Sequence, residues 1–210
     1  MKQPFRVNRK SLLLVLCTAC IFSQTGVAYA DKALLSTGGT DAGTAFIQQM
    51  IGEWEVRQRM WPSAAGQAVE LAPAVAHRLL IGSTIVQETM TLAPESSETP
   101  FTRLAYFDYN AISQRYEYFS LDTRAPQMMN DRSLAAAIDA DSQRGSAIAL
   151  YGGIFVAPQW GESKNVPFRY RIVLSRIEMD EQTMRLYLKA QSGSNTKEFL
   201  AFEYVYTRKH

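Results

Sequence analysis

Cysteine is nearly absent from this 210-residue chain, and its two examples, Cys17 and Cys20, both lie in the first thirty residues. That stretch reads as a secretory signal peptide. Lys2, Arg6, Arg9 and Lys10 make a basic start, Leu12 to Phe22 an apolar core, and Ala28-Tyr29-Ala30 a small-x-small cleavage site. Residues 1–30 are therefore expected to be removed, and a periplasmic location follows. The apolar run is too short to span a bilayer comfortably, so no transmembrane segment is expected in the mature chain. A lipoprotein anchor at Cys20 would want leucine three residues earlier, where Cys17 stands. Without these cysteines the mature chain offers no disulfide, thiolate nucleophile or zinc–sulfur site. Its core of about 180 residues must carry the stability, which one domain of that size can do.

Basic charge is scarce too. The whole chain is formally +2, but the signal holds four of the 22 Lys and Arg and none of the 20 Asp and Glu, leaving 18 against 20 and a net of −2. No basic stripe remains for a nucleic-acid partner. Histidine is limited to His77 and His210. With no Gly-x-Ser-x-Gly there is no nucleophile and base to build a hydrolase from. His77, between Ala76 and Arg78 in an expected strand, reads as a solvated or hydrogen-bonded side chain rather than a base or a haem ligand. No glycine-rich phosphate loop follows any strand. Asp139-Ala140-Asp141-Ser142-Gln143 begins like a calcium loop, yet Arg144 stands where the loop needs glycine and Leu150 where it needs glutamate. It reads as a turn, and neither a metal nor a cofactor is implied.

What the chain does have is alternation. After Gly52, residues Trp54, Val56 and Met60 fall on one face and Glu53, Glu55, Arg57 and Arg59 on the other, the mark of a strand with one dry side. Residues 31–41 are a small, polar leader. Thr40 or Asp41 can cap a short helix over 42–50, where Ala42, Ala45, Phe46 and Met50 recur at spacings of three and four before Gly52 stops it. Further strands are expected over 69–80 (interrupted near Pro73), 84–92, 101–109, 115–122, 134–138, 146–156, 168–177, 183–190 and 197–207, with 124–131 a loop. The even spacing predicts an all-β fold: a single antiparallel up-and-down barrel or sandwich of about ten strands, occupying residues 42–210, with one short N-terminal helix.

Three stretches carry a resemblance: Ile51-Gly52-Glu53-Trp54; Phe107-Asp108-Tyr109-Asn110 followed by Arg115-Tyr116 and Leu121-Asp122; and Phe202-Glu203-Tyr204-Val205-Tyr206-Thr207-Arg208-Lys209. The chain resembles the calycin-type bacterial exported proteins, which share their fold with lipocalins and fatty-acid-binding proteins. The resemblance covers most of residues 46–209 and implies a calycin barrel without a settled activity. Where that family usually has Gly-Tyr-Asp this chain has Tyr106-Phe107-Asp108, and Ser120 stands where an aromatic is common.

The aromatic set is the strongest pointer to function. Trp54, Met60, Tyr106, Tyr116, Tyr118, Tyr204 and Tyr206 can line one cavity with apolar bodies and hydroxyl tips, as a small-molecule pocket requires, or else pack as a core with tyrosines at its rim. Asp122 shares parity with Tyr116, Tyr118 and Ser120, and Glu88 shares parity with Val86 and Met90, so both carboxylates can point inward. A buried carboxylate marks a functional site or is matched by an arginine; Asp108 and Asp122 also suit turn caps. The leading expectation is a non-enzymatic barrel holding a small, largely apolar molecule. Alternatives are an isomerase- or cyclase-like enzyme using Asp122 or Glu88, and an interaction protein presenting the Pro158-Gln159-Trp160-Gly161 loop.

Overall fold

Alternation of apolar and polar residues, repeated strand after strand, gives the sheet one dry face, which closure into a barrel buries. The computed structural model describes residues 42–132, 147–161, 163–191 and 197–210. A helix, α1 (Ala42–Gln48), precedes ten strands: β1 (Gly52–Met60), β2 (Val69–Ile81), β3 (Ile85–Leu92), β4 (Thr102–Asn110), β5 (Arg115–Asp122), β6 (Ala125–Arg132), β7 (Ala147–Trp160), β8 (Ser163–Glu178), β9 (Glu181–Ala190) and β10 (Phe199–Arg208). Each strand pairs antiparallel with its neighbours in sequence, and β10 returns to β1 to close the barrel. The β6–β7 seam is described at one pair, Arg132 with Tyr151. The all-β, up-and-down architecture expected from the spacing is the one found.

One element is a correction. Residues 124–131 were expected to be a loop, yet 125–132 form β6, paired with β5 from Glu117–Arg132 to Leu121–Met128. Ala-Pro-Gln-Met-Met-Asn has little strand propensity of its own, and pairing across the barrel overrides it. The strand expected at 134–138, the turn at 139–145, the signal, the leader and the helix caps lie outside the described residues. Among the described residues no helix is long and apolar enough to cross a membrane.

The strand directions give the barrel two different ends. At the end where β1 begins, Ile47 of α1 and Met50 just after it are buried against the core, with Phe46 edge-on to Tyr116 at 5.9 Å. Gly43 lies against the Tyr109 ring so closely that a Cβ would collide with it. Trp54 is fully buried just inside and donates its indole N–H to Met50 O at 3.0 Å. Fully burying side chains such as Ile47, Met50 and Phe107 contributes roughly 1.5–3 kcal/mol each, which anchors the fold at this plugged end. The other end, where β1 finishes at Met60, is less completely filled. A register shift between Val56 and Gln58 answers Pro73 on β2: Gln58 turns inward and donates to Ala72 O at 2.7 Å.

Candidate functional site

A cavity of about 340 Å³ opens at the end of the barrel opposite α1. Its wall is mostly apolar, with Met60, Leu71, Phe155, Trp160, Ile172, Met184, Leu186 and Phe202. Five polar side chains interrupt it: Arg103, Tyr118, Ser120, Asp122 and Arg124, with Tyr204 presenting both ring and hydroxyl. Each inward residue is placed by strand parity. On β4, Arg103 shares the inner face with Ala105, Phe107 and Tyr109; on β5, Tyr118, Ser120 and Asp122 share it with Tyr116.

Beneath the cavity floor lies a charged layer. Glu88 is completely buried between two guanidiniums, Arg78 (Nε to Oε2, 2.7 Å) and Arg103, which reaches Oε1. Burial alone pushes the Glu88 carboxyl up, but Arg78 and Arg103 outweigh it and hold it below the ordinary value of 4.5. Arg78 also donates to Gln182 Oε1 at 2.6 Å and stacks 4.0 Å over the Tyr206 ring. Arg103 is the member that faces the cavity. It donates to the Tyr118 hydroxyl and lies 5.2 Å from the Tyr204 ring centroid. Burial opposes its charge, yet the neighbouring Tyr118 and Glu88 keep the guanidinium firmly protonated.

At the rim, the turn between β5 and β6 carries Arg124 across the mouth. Its Nε and Nη2 clasp Asp122 at 3.0 and 2.7 Å, its Nη1 donates to Gln58 Oε1 at 2.8 Å, and Nη2 donates to the Tyr204 hydroxyl at 3.1 Å. The guanidinium stacks 3.6 Å over Phe101. Burial pushes Tyr118 up to about 12 and raises Tyr204 as well, so both hydroxyls hold their protons at neutral pH. Trp160 donates its indole N–H to Trp61 O at 3.0 Å, tying the end of β7 to the turn after β1. Gly161 has φ +56° and sits against the Pro62 carbonyl where a Cβ would collide.

The structure brings Met60, Tyr118, Asp122 and Tyr204 together on the cavity wall. Trp54, Glu88 and Tyr206 point inward but lie below the floor, in and around the charged layer. Tyr116 is inward at the plugged end, against Phe46 and Tyr109. Tyr106 is placed elsewhere: β4 turns Ala105 and Phe107 inside, so Tyr106 stands on the outer face beside Phe119 at 6.2 Å. His77 is outside and exposed, 3.5 Å from Glu53. Asp108 is on the outer parity of β4, its carboxyl raised by burial, with Oδ1 lacking a described hydrogen-bond partner. The sequence reading did not single out Gln58, Arg78, Arg103 and Arg124. Parity was the available signal for Gln58, which shares a face with Trp54, Val56 and Met60; on β4 the residue expected inside, Tyr106, has the opposite parity to Arg103, and no residue of β2 was expected inside.

No family model and no curated protein matches the sequence. Among solved structures, the crystal structure of Rv2717c from M. tuberculosis is similar at a TM-score of 0.50 and 14% identity, covering 82% of this chain and all of that one. A redesigned beta barrel matches at a TM-score of 0.37 and 8% identity over 78% of this chain and 95% of that one. At such identity the first likeness extends to the fold alone, a β-barrel.

Proposed function

We propose that this chain is an exported, non-enzymatic binding protein whose barrel holds one small, largely apolar molecule. The cavity carries this reading: its volume falls within the range of small-molecule sites, and its wall is apolar with a few convergent polar groups. The signal-like first thirty residues support export to the periplasm. The opening Gly-x-Trp and the closing aromatic strand support kinship with calycin-type proteins.

Two features weigh against an acid–base enzyme on the same barrel. Glu88 lies below the floor, clamped by two guanidiniums that hold it ionised, where a general acid would need a raised value. Asp122 is clasped by Arg124. A docking patch centred on Trp160 is also disfavoured, since its ring is half-buried in the cavity wall and its N–H is taken by Trp61 O.

Titration of the chain from Asp31 onward with N-phenyl-1-naphthylamine, a neutral probe that fluoresces in apolar surroundings, tests the reading. Saturable one-to-one binding is expected, weakened by about tenfold or more when Leu186→Trp fills the cavity. Absence of saturable binding, or binding unchanged in a Leu186→Trp variant that melts normally, contradicts it.

A further inference from the structure

The polar part of the cavity wall holds two guanidiniums, three hydroxyls and one carboxylate, Asp122, which Arg124 already engages. Arginine cannot accept a hydrogen bond, and two arginines face the cavity or its rim, Arg103 and Arg124. The nearby carboxylates are already engaged, Glu88 by Arg78 and Arg103 and Asp122 by Arg124. The Tyr204 hydroxyl accepts from Arg124 Nη2, which leaves its own hydrogen to be donated. Tyr118 accepts from Arg103 and has Ser120 as a second hydrogen-bond partner. Arg103 Nη2 has a thioether, Met184 Sδ at 3.4 Å, as a further partner, a weak acceptor for a charged donor. The two guanidiniums flank one tyrosine: Arg103 lies 5.2 Å from the Tyr204 ring centroid and Arg124 bonds its hydroxyl.

Charge points the same way. The described side chains of this layer and rim carry three guanidiniums, Arg78, Arg103 and Arg124, against two carboxylates, Glu88 and Asp122. Stability does not account for such a layer, because replacing a buried charged triad by apolar residues of similar volume is commonly neutral or stabilising. An anion entering the cavity would meet charged and neutral donors already held in place by their neighbours.

We propose that the molecule held in the barrel is an organic acid, an apolar body whose single carboxylate or sulfonate lies against Arg103, Arg124 and the Tyr118 and Tyr204 hydroxyls. This rests on the binding reading of the same cavity. Arg103 sets the depth of the acidic group, at the floor, and the Arg124–Asp122 pair sets the charge of the mouth.

The test uses two probes with the same ring skeleton, 1-anilinonaphthalene-8-sulfonate and the neutral N-phenyl-1-naphthylamine, titrated into wild type, Arg124→Gln and Asp122→Asn. Both substitutions are at the rim, and a circular-dichroism melt confirms that each variant is folded. The anionic probe should bind wild type about tenfold or more tightly than the neutral one. Arg124→Gln, which leaves Asp122 unopposed, should weaken the anionic probe about fivefold, and Asp122→Asn should tighten it, with the neutral probe little changed in either. A neutral probe that binds as tightly as the anionic one overturns the acid assignment and leaves the binding reading standing. An anionic preference unmoved by both substitutions overturns its placement in this cavity. Failure of both probes overturns the binding reading and this inference with it.

Discussion

Glu88 shows most clearly how a single residue couples fold to site. Strand parity turns it inward, and the inside of a barrel cannot hold a lone carboxylate, so the same parity on the flanking strands supplies Arg78 opposite it on β2 and Arg103 on β4. Glu88→Gln leaves two buried guanidiniums without a counter-charge, and a loss of about 3–5 kcal/mol in unfolding free energy at pH 7 is expected by urea denaturation. The pH dependence has a definite sign. The folded carboxyl titrates below its ordinary 4.5, so its stabilisation is complete above that value and fades as pH falls through the folded one. The stability gap between wild type and Glu88→Gln should therefore be widest at neutral pH and narrow below 4.5; a gap that widens on acidification contradicts the account. At this scale the sequence was half legible. Alternation was enough to turn Glu88 and Asp122 inward and to raise an arginine partner as one reading of Glu88. Which arginine was not legible, because nothing local fixes the inner face of β2 and an inward Tyr106 would give β4 the opposite parity to Arg103. Tyr106 was misplaced for the complementary reason: an aromatic-rich hairpin has rings on both faces, and composition does not say which ring is inside.

At the scale of the element, the start of β1 rests on a glycine that cannot easily be replaced. Gly52 has φ +134°, and Arg208 crosses it to donate to Ile51 O at 2.6 Å and Gln49 O at 3.0 Å while stacking 4.2 Å over Trp54. A Cβ at Gly52 would collide with the Arg208 guanidinium and hold a backbone conformation that L-residues rarely adopt. Gly52→Ala should cost about 1–3 kcal/mol by urea denaturation. In an Arg208→Ala background the cost should shrink to the backbone part alone; an unchanged cost would show that crowding by Arg208 plays no role. The Gly-Glu-Trp opening was readable because glycine before a strictly alternating run has few other meanings. β6 was not readable, because Ala-Pro-Gln-Met-Met-Asn has neither the alternation nor the β-branched content of a strand. Its pairing with β5 comes from the closure of the barrel, which no local window of sequence contains. Arg124, the residue that straps the mouth, was lost with it, since its position follows from the β5–β6 turn.

For the whole molecule, a closed barrel plugged at one end by α1 and Trp54 leaves the other end to decide function. There the wall is mostly apolar, the floor carries Arg103 and the mouth is bridged by Arg124. The fold and the existence of an inward aromatic set were legible from even spacing and alternation. The separation of that set into a packed layer, a charged floor and an open chamber was not, because it depends on how ten strands stagger around the closed sheet. The most direct measurement of the central claim is native mass spectrometry of the protein, exported by its host and purified without denaturation. One small molecule per chain is expected, lost on denaturation and detected in negative-ion mode as an acid. A bare chain from fresh preparations, with no mass taken up when carboxylate or sulfonate amphiphiles are added in excess, would contradict it.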